Sequence, residues 1–206
     1  IWDAVNDALF GVIFDSVKFK SGKKYLPWLK ISTFLTPIAT FFLFAIPRSV
    51  GETTKLLWFA AAYVIWDTVY TLCDVPIYGA ITSMTRNIDE RSSMLSYKSI
   101  WAGVGIAFIT VAGTVLVSEH VGASYTVVGA ATAVFAFATM LPVLKTLQER
   151  HQPEEEESFT LTRMFKYLFQ NKYLLIYYFG YFFYSAANIS AALNLFVSYY
   201  LFNDTL

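Results

Sequence analysis

Five apolar stretches of membrane-crossing length constrain what this chain can fold into. They cover about 31–47, 56–85, 99–118, 125–144 and 173–202. A helix needs about 20 mainly apolar residues to cross the hydrocarbon core of a bilayer. Hydrophobic residues make up 56% of the chain and charged ones 15%, a low charge density for a water-soluble domain. In lipid a spanning segment must satisfy its own backbone polar groups. The expected fold is therefore all-α and integral to the membrane. The first seventeen residues read as the end of a further helix that starts upstream, and they lack the basic opening of a signal peptide.

Net charge is zero, but the charges alternate in space. Lys18, Lys20, Lys23 and Lys24 crowd the first loop. Arg86 and Arg91 lie in the third, with Lys98 just beyond. Lys145, Arg150, Arg163, Lys166 and Lys172 surround the long loop near 145–172. The intervening loops carry Arg48 and Lys55, or no basic residue near 119–124. Basic residues favour the cytoplasmic side. Loops 18–30, 86–98 and 145–172 are thus expected to be cytoplasmic, in a multi-pass protein of the cell membrane. The first helix then runs from the outer face inward. Basic loops this short, interleaved with spans, do not make a nucleic-acid surface. Cys73 is the one cysteine, so no internal disulfide or thiolate metal cluster is possible.

Breakers divide the chain. Gly22 and Pro27 end the first helix, and Trp28 stands at an interface. Pro37 can kink the second. Residues 56–85 would measure about 45 Å, longer than the core, so a tilt or a break at Pro76 is expected. TRNIDERSSM reads as a cytoplasmic turn. Small residues such as Gly103, Gly105, Gly129 and Ala133 mark helix–helix contact in the next two spans. The acidic run Glu154 to Glu157 reads as a linker, with an amphipathic helix near 160–169. This gives an N-terminal transmembrane half over 1–145, a linker over 146–171 and the start of a second half over 172–206.

Carboxylates inside the apolar segments carry the functional signal. An ionised acid at mid-membrane costs about 2.5–3.5 kcal/mol even on the lenient insertion scale. Asp3 and Asp7 stand at i and i+4, so they share a helix face. Two acids that close repel unless a cation or proton joins them. They read either as oxygen ligands for such an ion or as a frayed terminus. Asn6 is a polar neighbour, offset around the helix. Asp15, beside Lys18, reads as a structural pair at the inner face. Asp74 follows Tyr70 and Thr71 and precedes Pro76 and Tyr78. It can accept hydrogen bonds from vicinal hydroxyls, while the tyrosine rings suit the apolar face of a sugar. It can also pair with Lys98, and the two roles are compatible. Asp67, two turns before Asp74, is an outer element of the path or a structural partner. Asn188, Ser190 and Asn194 line the path or bond across to another helix. His120 and His151 fall in loops without metal-site spacing. No GxSxG, HExxH or phosphate-loop motif occurs.

IWDAVNDALFGVIFDSVKFKSGKKYLPWL resembles the second helix and following loop of the glycoside–pentoside–hexuronide cation symporters, the melibiose permease family. YTLCDVPIYGAITSMTRNIDERSSMLSYKSIWAGVG resembles that family's fourth helix and its run into the fifth. The resemblance covers essentially the whole chain. It implies a major facilitator fold, of which this stretch is about helix 2 to helix 7 of twelve. It implies that Asp3 and Asp7, aided by Thr71, bind the cation (sodium, if the protein is sodium-coupled), and that Tyr70 and Asp74 bind sugar. Tyr78 stands where melibiose permease has a tryptophan, and Lys98 where the family usually has arginine. The implied activity is alternating-access symport of a sugar with Na+ or H+, without a cofactor and with a monomer as the functional unit. The rivals are a lysolipid or other amphiphile symporter of the same fold, and a membrane-bound enzyme or non-transporting sensor.

Overall fold

A computed structural model describes residues 2–47, 49–118, 120–151 and 161–197, with the backbone alone at 3–5, 8, 161–165 and 188–197. Its regular elements are helices: α1 (Trp2–Ser16), α2 (Leu26–Phe44), α3 (Glu52–Met84), α4 (Ile88–Val117), α5 (Tyr125–Thr146), α6 (Leu161–Gln170) and α7 (Lys172–Val197). The chain divides into two compact units, Ile1–Glu156 and Glu157–Leu206. The second unit pairs α6 with α7. Among the described residues, α2, α3, α4 and α5 are long and apolar enough to cross a membrane.

Two expectations are corrected. The turn expected over TRNIDERSSM is confined to Thr85–Asn87, and α4 starts at Ile88 rather than near 99. Most of the expected loop 86–98 is therefore helix. The Asn87 side chain accepts the backbone N–H of Asp89 at 2.8 Å, and Asp89 and Glu90 place negative charge against the helix N-terminus. Both effects stabilise a helix start. The break expected at Pro76 does not occur, and α3 runs unbroken for 33 residues. Proline removes one donor from the helix ladder, a loss that spanning helices tolerate when neighbours enclose the site. Pro76 is fully buried. Pro37 and Pro142 likewise lie inside continuous helices.

Packing in the first unit centres on α2, which lies against both α3 and α5. Leu29, Thr33 and Ala39 of α2 are buried. At the α5 contact a Cβ on Gly129 would collide with Phe44, so glycine permits the approach. Thr126 Oγ1 donates to the Phe44 carbonyl at 3.1 Å. Towards α3, Trp58 Nε1 donates to the Phe42 carbonyl at 3.1 Å and Trp66 Nε1 to Thr40 Oγ1 at 3.0 Å.

A polar strap closes the basic end. Glu149, just past α5, accepts the backbone N–H groups of Lys24, Tyr25 and Leu26 at 2.8, 3.0 and 2.5 Å. These include donors that a helix start leaves without intrahelical partners. The next two backbone N–H groups, of Arg150 and His151, donate to the Ser83 carbonyl at the end of α3, at 3.1 and 2.9 Å. Asp15 pairs at the basic loop, as expected of a structural residue, with Lys24 Nζ 2.7 Å from its Oδ1. Short segments thus tie α1, α2, α3 and α5 together at one end.

Candidate functional site

The geometry of the site follows from how α3 is divided around its circumference. Each residue turns an α-helix by about 100°. Trp58, Ala62, Ile65 and Val69 form one stripe, which lines an apolar cavity of about 430 Å³ with Leu35, Ile38, Ala39 and Phe42 of α2. A shift of two residues along the chain gives Ala60, Val64, Asp67 and Thr71, on the far side of the helix. There α3 meets α1.

That meeting is polar. Asn6 Nδ2 donates to Thr71 Oγ1 at 2.7 Å, and both residues are buried. The Thr71 hydroxyl has one proton, within reach of Asp7 Oδ1 at 3.3 Å and of the Asp67 main-chain carbonyl at 3.2 Å. The seam therefore gathers a carboxylate, a hydroxyl, an amide and a backbone carbonyl between two helices. Oxygen donors of this kind suit a hard cation. Asp7 is exposed at the rim of the seam, while Asp67 is 8% exposed. Asp3 lies one turn from Asp7 on α1, and its side chain is outside the described residues. Among the described residues no three His, Cys, Asp or Glu side chains converge as a metal site would require.

A second cluster begins one turn further along α3. Lys98 Nζ of α4 stands 3.6 Å from Asp74 Oδ1 and 3.8 Å above the ring of Tyr78. At 3.6 Å the ion pair is too long to be a hydrogen bond. Both side chains are partly exposed, so their lone pairs and protons can still meet a polar ligand. Tyr70 stacks on Trp66, with ring centroids 5.3 Å apart and planes 14° from parallel. Thr71 and Asp74 are separated by about 4.5 Å of helix rise, so the two clusters adjoin.

The structure thus brings Asp7 to Thr71 and brings Asp74 to Lys98 and Tyr78. It buries Asp67 one turn before Thr71, whose hydroxyl reaches the Asp67 main-chain carbonyl. Asn188 and Asn194 lie on α7 with side chains outside the described residues, so the expectation made for them is not addressed. Asn6 is more central than its offset position promised, because α3 meets α1 across the Asn6 side as well as the Asp7 side. Glu149 gave no signal in the sequence, since its partners lie 123 to 125 residues away.

The model of the MFS/sugar transport protein family matches residues 1–206. This chain belongs to that family. It is a multi-pass membrane protein of the major facilitator superfamily. It is 26% identical to the lactose permease of Lactobacillus helveticus, over 92% of this chain and 32% of that protein. It is 26% identical to the isoprimeverose transporter of Lactiplantibacillus pentosus, over 74% of this chain and 33% of that one. It is 29% identical to the sodium-dependent lysophosphatidylcholine symporter 1 of Gallus gallus, over 61% and 22% respectively. The chain spans about a fifth to a third of the length of these curated relatives. They are transporters rather than enzymes, and their cargoes divide between sugars and a lysolipid.

Proposed function

We propose that the full-length protein is a cation-coupled symporter that moves a glycoside, pentoside or hexuronide by alternating access. The coupling ion is Na+ or H+, and no bond in the solute is made or broken. The observation that carries this reading is the adjacency of the Asp7–Thr71–Asn6 seam and the Asp74–Lys98–Tyr78 cluster on one helix. A cation held by Asp7, Thr71 and Asp3 offsets repulsion between the acids of α1. It thereby fixes the orientation of α1 against α3 and hence the position of Asp74, one turn away. Asp74 accepts sugar hydroxyls, Lys98 donates to them, and Tyr70 and Tyr78 present ring faces. The membrane half over 1–145 then rocks against a second half that starts near 172, joined through 146–171. A monomer suffices for this cycle.

Uptake by the full-length protein in sealed vesicles tests the reading. A panel of sugars, with and without a sodium or pH gradient, should identify a solute accumulated only when the gradient is present. Uptake that merely equilibrates, or conversion of the solute to a product, would refute symport.

One observation favours a second reading, the transport of an amphiphile such as a lysolipid. The cavity between α2 and α3 is lined by apolar side chains and could receive an acyl chain. Including lysophosphatidylcholine in the same panel separates the two.

A further inference from the structure

Between the α2-facing and α1-facing stripes of α3 lies a third, and its composition is distinctive. Phe59, Tyr63, Trp66 and Tyr70 follow one another at steps of four, three and four residues, which keeps them on one side of a helix. Their rings form a continuous series, with centroids 6.2, 6.3 and 5.3 Å apart. Phe59, Tyr63 and Tyr70 are 46%, 47% and 43% exposed, with one face of Tyr70 stacked on Trp66. Trp66 is half-buried, and its Nε1–H is held by Thr40 of α2. The ladder rises about 16 Å along the axis. One further step of four residues reaches Asp74.

We infer that this ladder is an approach track for the solute, which it guides over ring faces from the end of α3 remote from the basic loops down to Asp74 and Lys98. The inference rests on the sugar-transport reading above and commits to a pyranoside ring as occupant. Aromatic faces carry negative electrostatic potential, and the C–H groups on one face of a pyranose carry weak positive charge. Such contacts are non-directional enough for a ring to move from one rung to the next. Two features tell against a stripe that merely contacts lipid tails. The series is continuous with a carboxylate–ammonium pair, which is expensive next to hydrocarbon. Its tryptophan is also fixed by a hydrogen bond to the neighbouring helix rather than free to adjust to lipid.

The outer rungs, Phe59 and Tyr63, are separate from the proposed binding cluster, so their removal should affect capture more than turnover. The test uses the full-length protein in proteoliposomes, with methyl and 4-nitrophenyl glycosides of galactose, glucose and xylose as probes and lysophosphatidylcholine as a control. In the Phe59→Leu/Tyr63→Leu double variant the KM of the transported glycoside should rise about tenfold, with kcat within twofold. Phe59→Tyr and Tyr63→Phe, which keep the rings, should restore the wild-type KM. Thermal melting of each purified variant checks that it is folded; if the double variant fails, the single Tyr63→Leu variant carries the test, with an expected rise of about threefold. Wild-type glycoside uptake with an unchanged KM in the leucine variants would overturn the track alone. Wild-type uptake of lysophosphatidylcholine and of no glycoside would overturn the sugar reading, and the track with it.

Discussion

Along α3, Ala62, Ile65 and Val69 line an apolar cavity with Leu35, Ile38 and Ala39 of α2, whereas Thr71 meets Asn6 and Asp7 of α1. The two sides of one helix use opposite materials. The first is made of small and branched apolar side chains, which leave a cavity between the two helices. The second gathers hydrogen-bonding groups in a place where they are costly unless something pairs with them. On the proposed reading, stability and ion coupling fall to separate sides of the same helix. Changes on the α2 side should move melting temperature with little effect on coupling. Changes on the α1 side should do the reverse.

The largest expected effect tests the polar side. Asp7→Ala in the full-length protein should abolish accumulation against a gradient while leaving thermal melting nearly unchanged. Accumulation by that variant would break the comparison at its centre. Asp74→Asn comes next. It keeps the shape of the side chain but removes the negative charge proposed to accept sugar hydroxyls. A charged hydrogen bond contributes about 1.5–3 kcal/mol, so sugar affinity should fall roughly 10- to 100-fold in a binding titration.

The strap at the basic end is the structural counterpart. Glu149→Ala strips three backbone N–H groups of their acceptor. Losing a capping acceptor costs about 1–2 kcal/mol, which melting of the purified protein should register as a drop of a few degrees. Glu149→Gln, which retains an acceptor oxygen, should lose less. The smallest effect belongs to the apolar contact. Gly129→Ala places a Cβ against Phe44 and should cost about 1–3 kcal/mol if α2 and α5 cannot shift, and less if they can. In either case the sugar KM should stay within twofold.

What the sequence made legible follows the same division. The spans were readable because bilayer thickness imposes a length, and α2, α3 and α5 lie within a few residues of the expected stretches. The start of α4 was misplaced because Arg91, Ser92, Ser93 and Ser96 look like loop residues. They lie instead on a helical extension beyond the apolar span. The Asn87 cap with Asp89 and Glu90 behind it did carry that information. Carboxylates in apolar segments flagged Asp7 and Asp74, since cost alone marks them as unusual. Pairing was harder to read. Asn6 reaching Thr71, and Glu149 reaching the start of α2, are contacts across 65 residues or more, and nothing in local spacing encodes them. The aromatic ladder was not read from the sequence, because its continuity depends on ring orientation.

The central claim is that ion and sugar exchange free energy through α3. The most direct measurement is the sugar dissociation constant of the purified full-length protein, with and without added sodium and at high and low pH, in wild type and in Thr71→Ala. The account predicts that the coupling ion tightens sugar binding by about 5- to 150-fold in the wild type, and that Thr71→Ala removes most of that gain. A Thr71→Ala protein that keeps the full ion-dependent gain would contradict it.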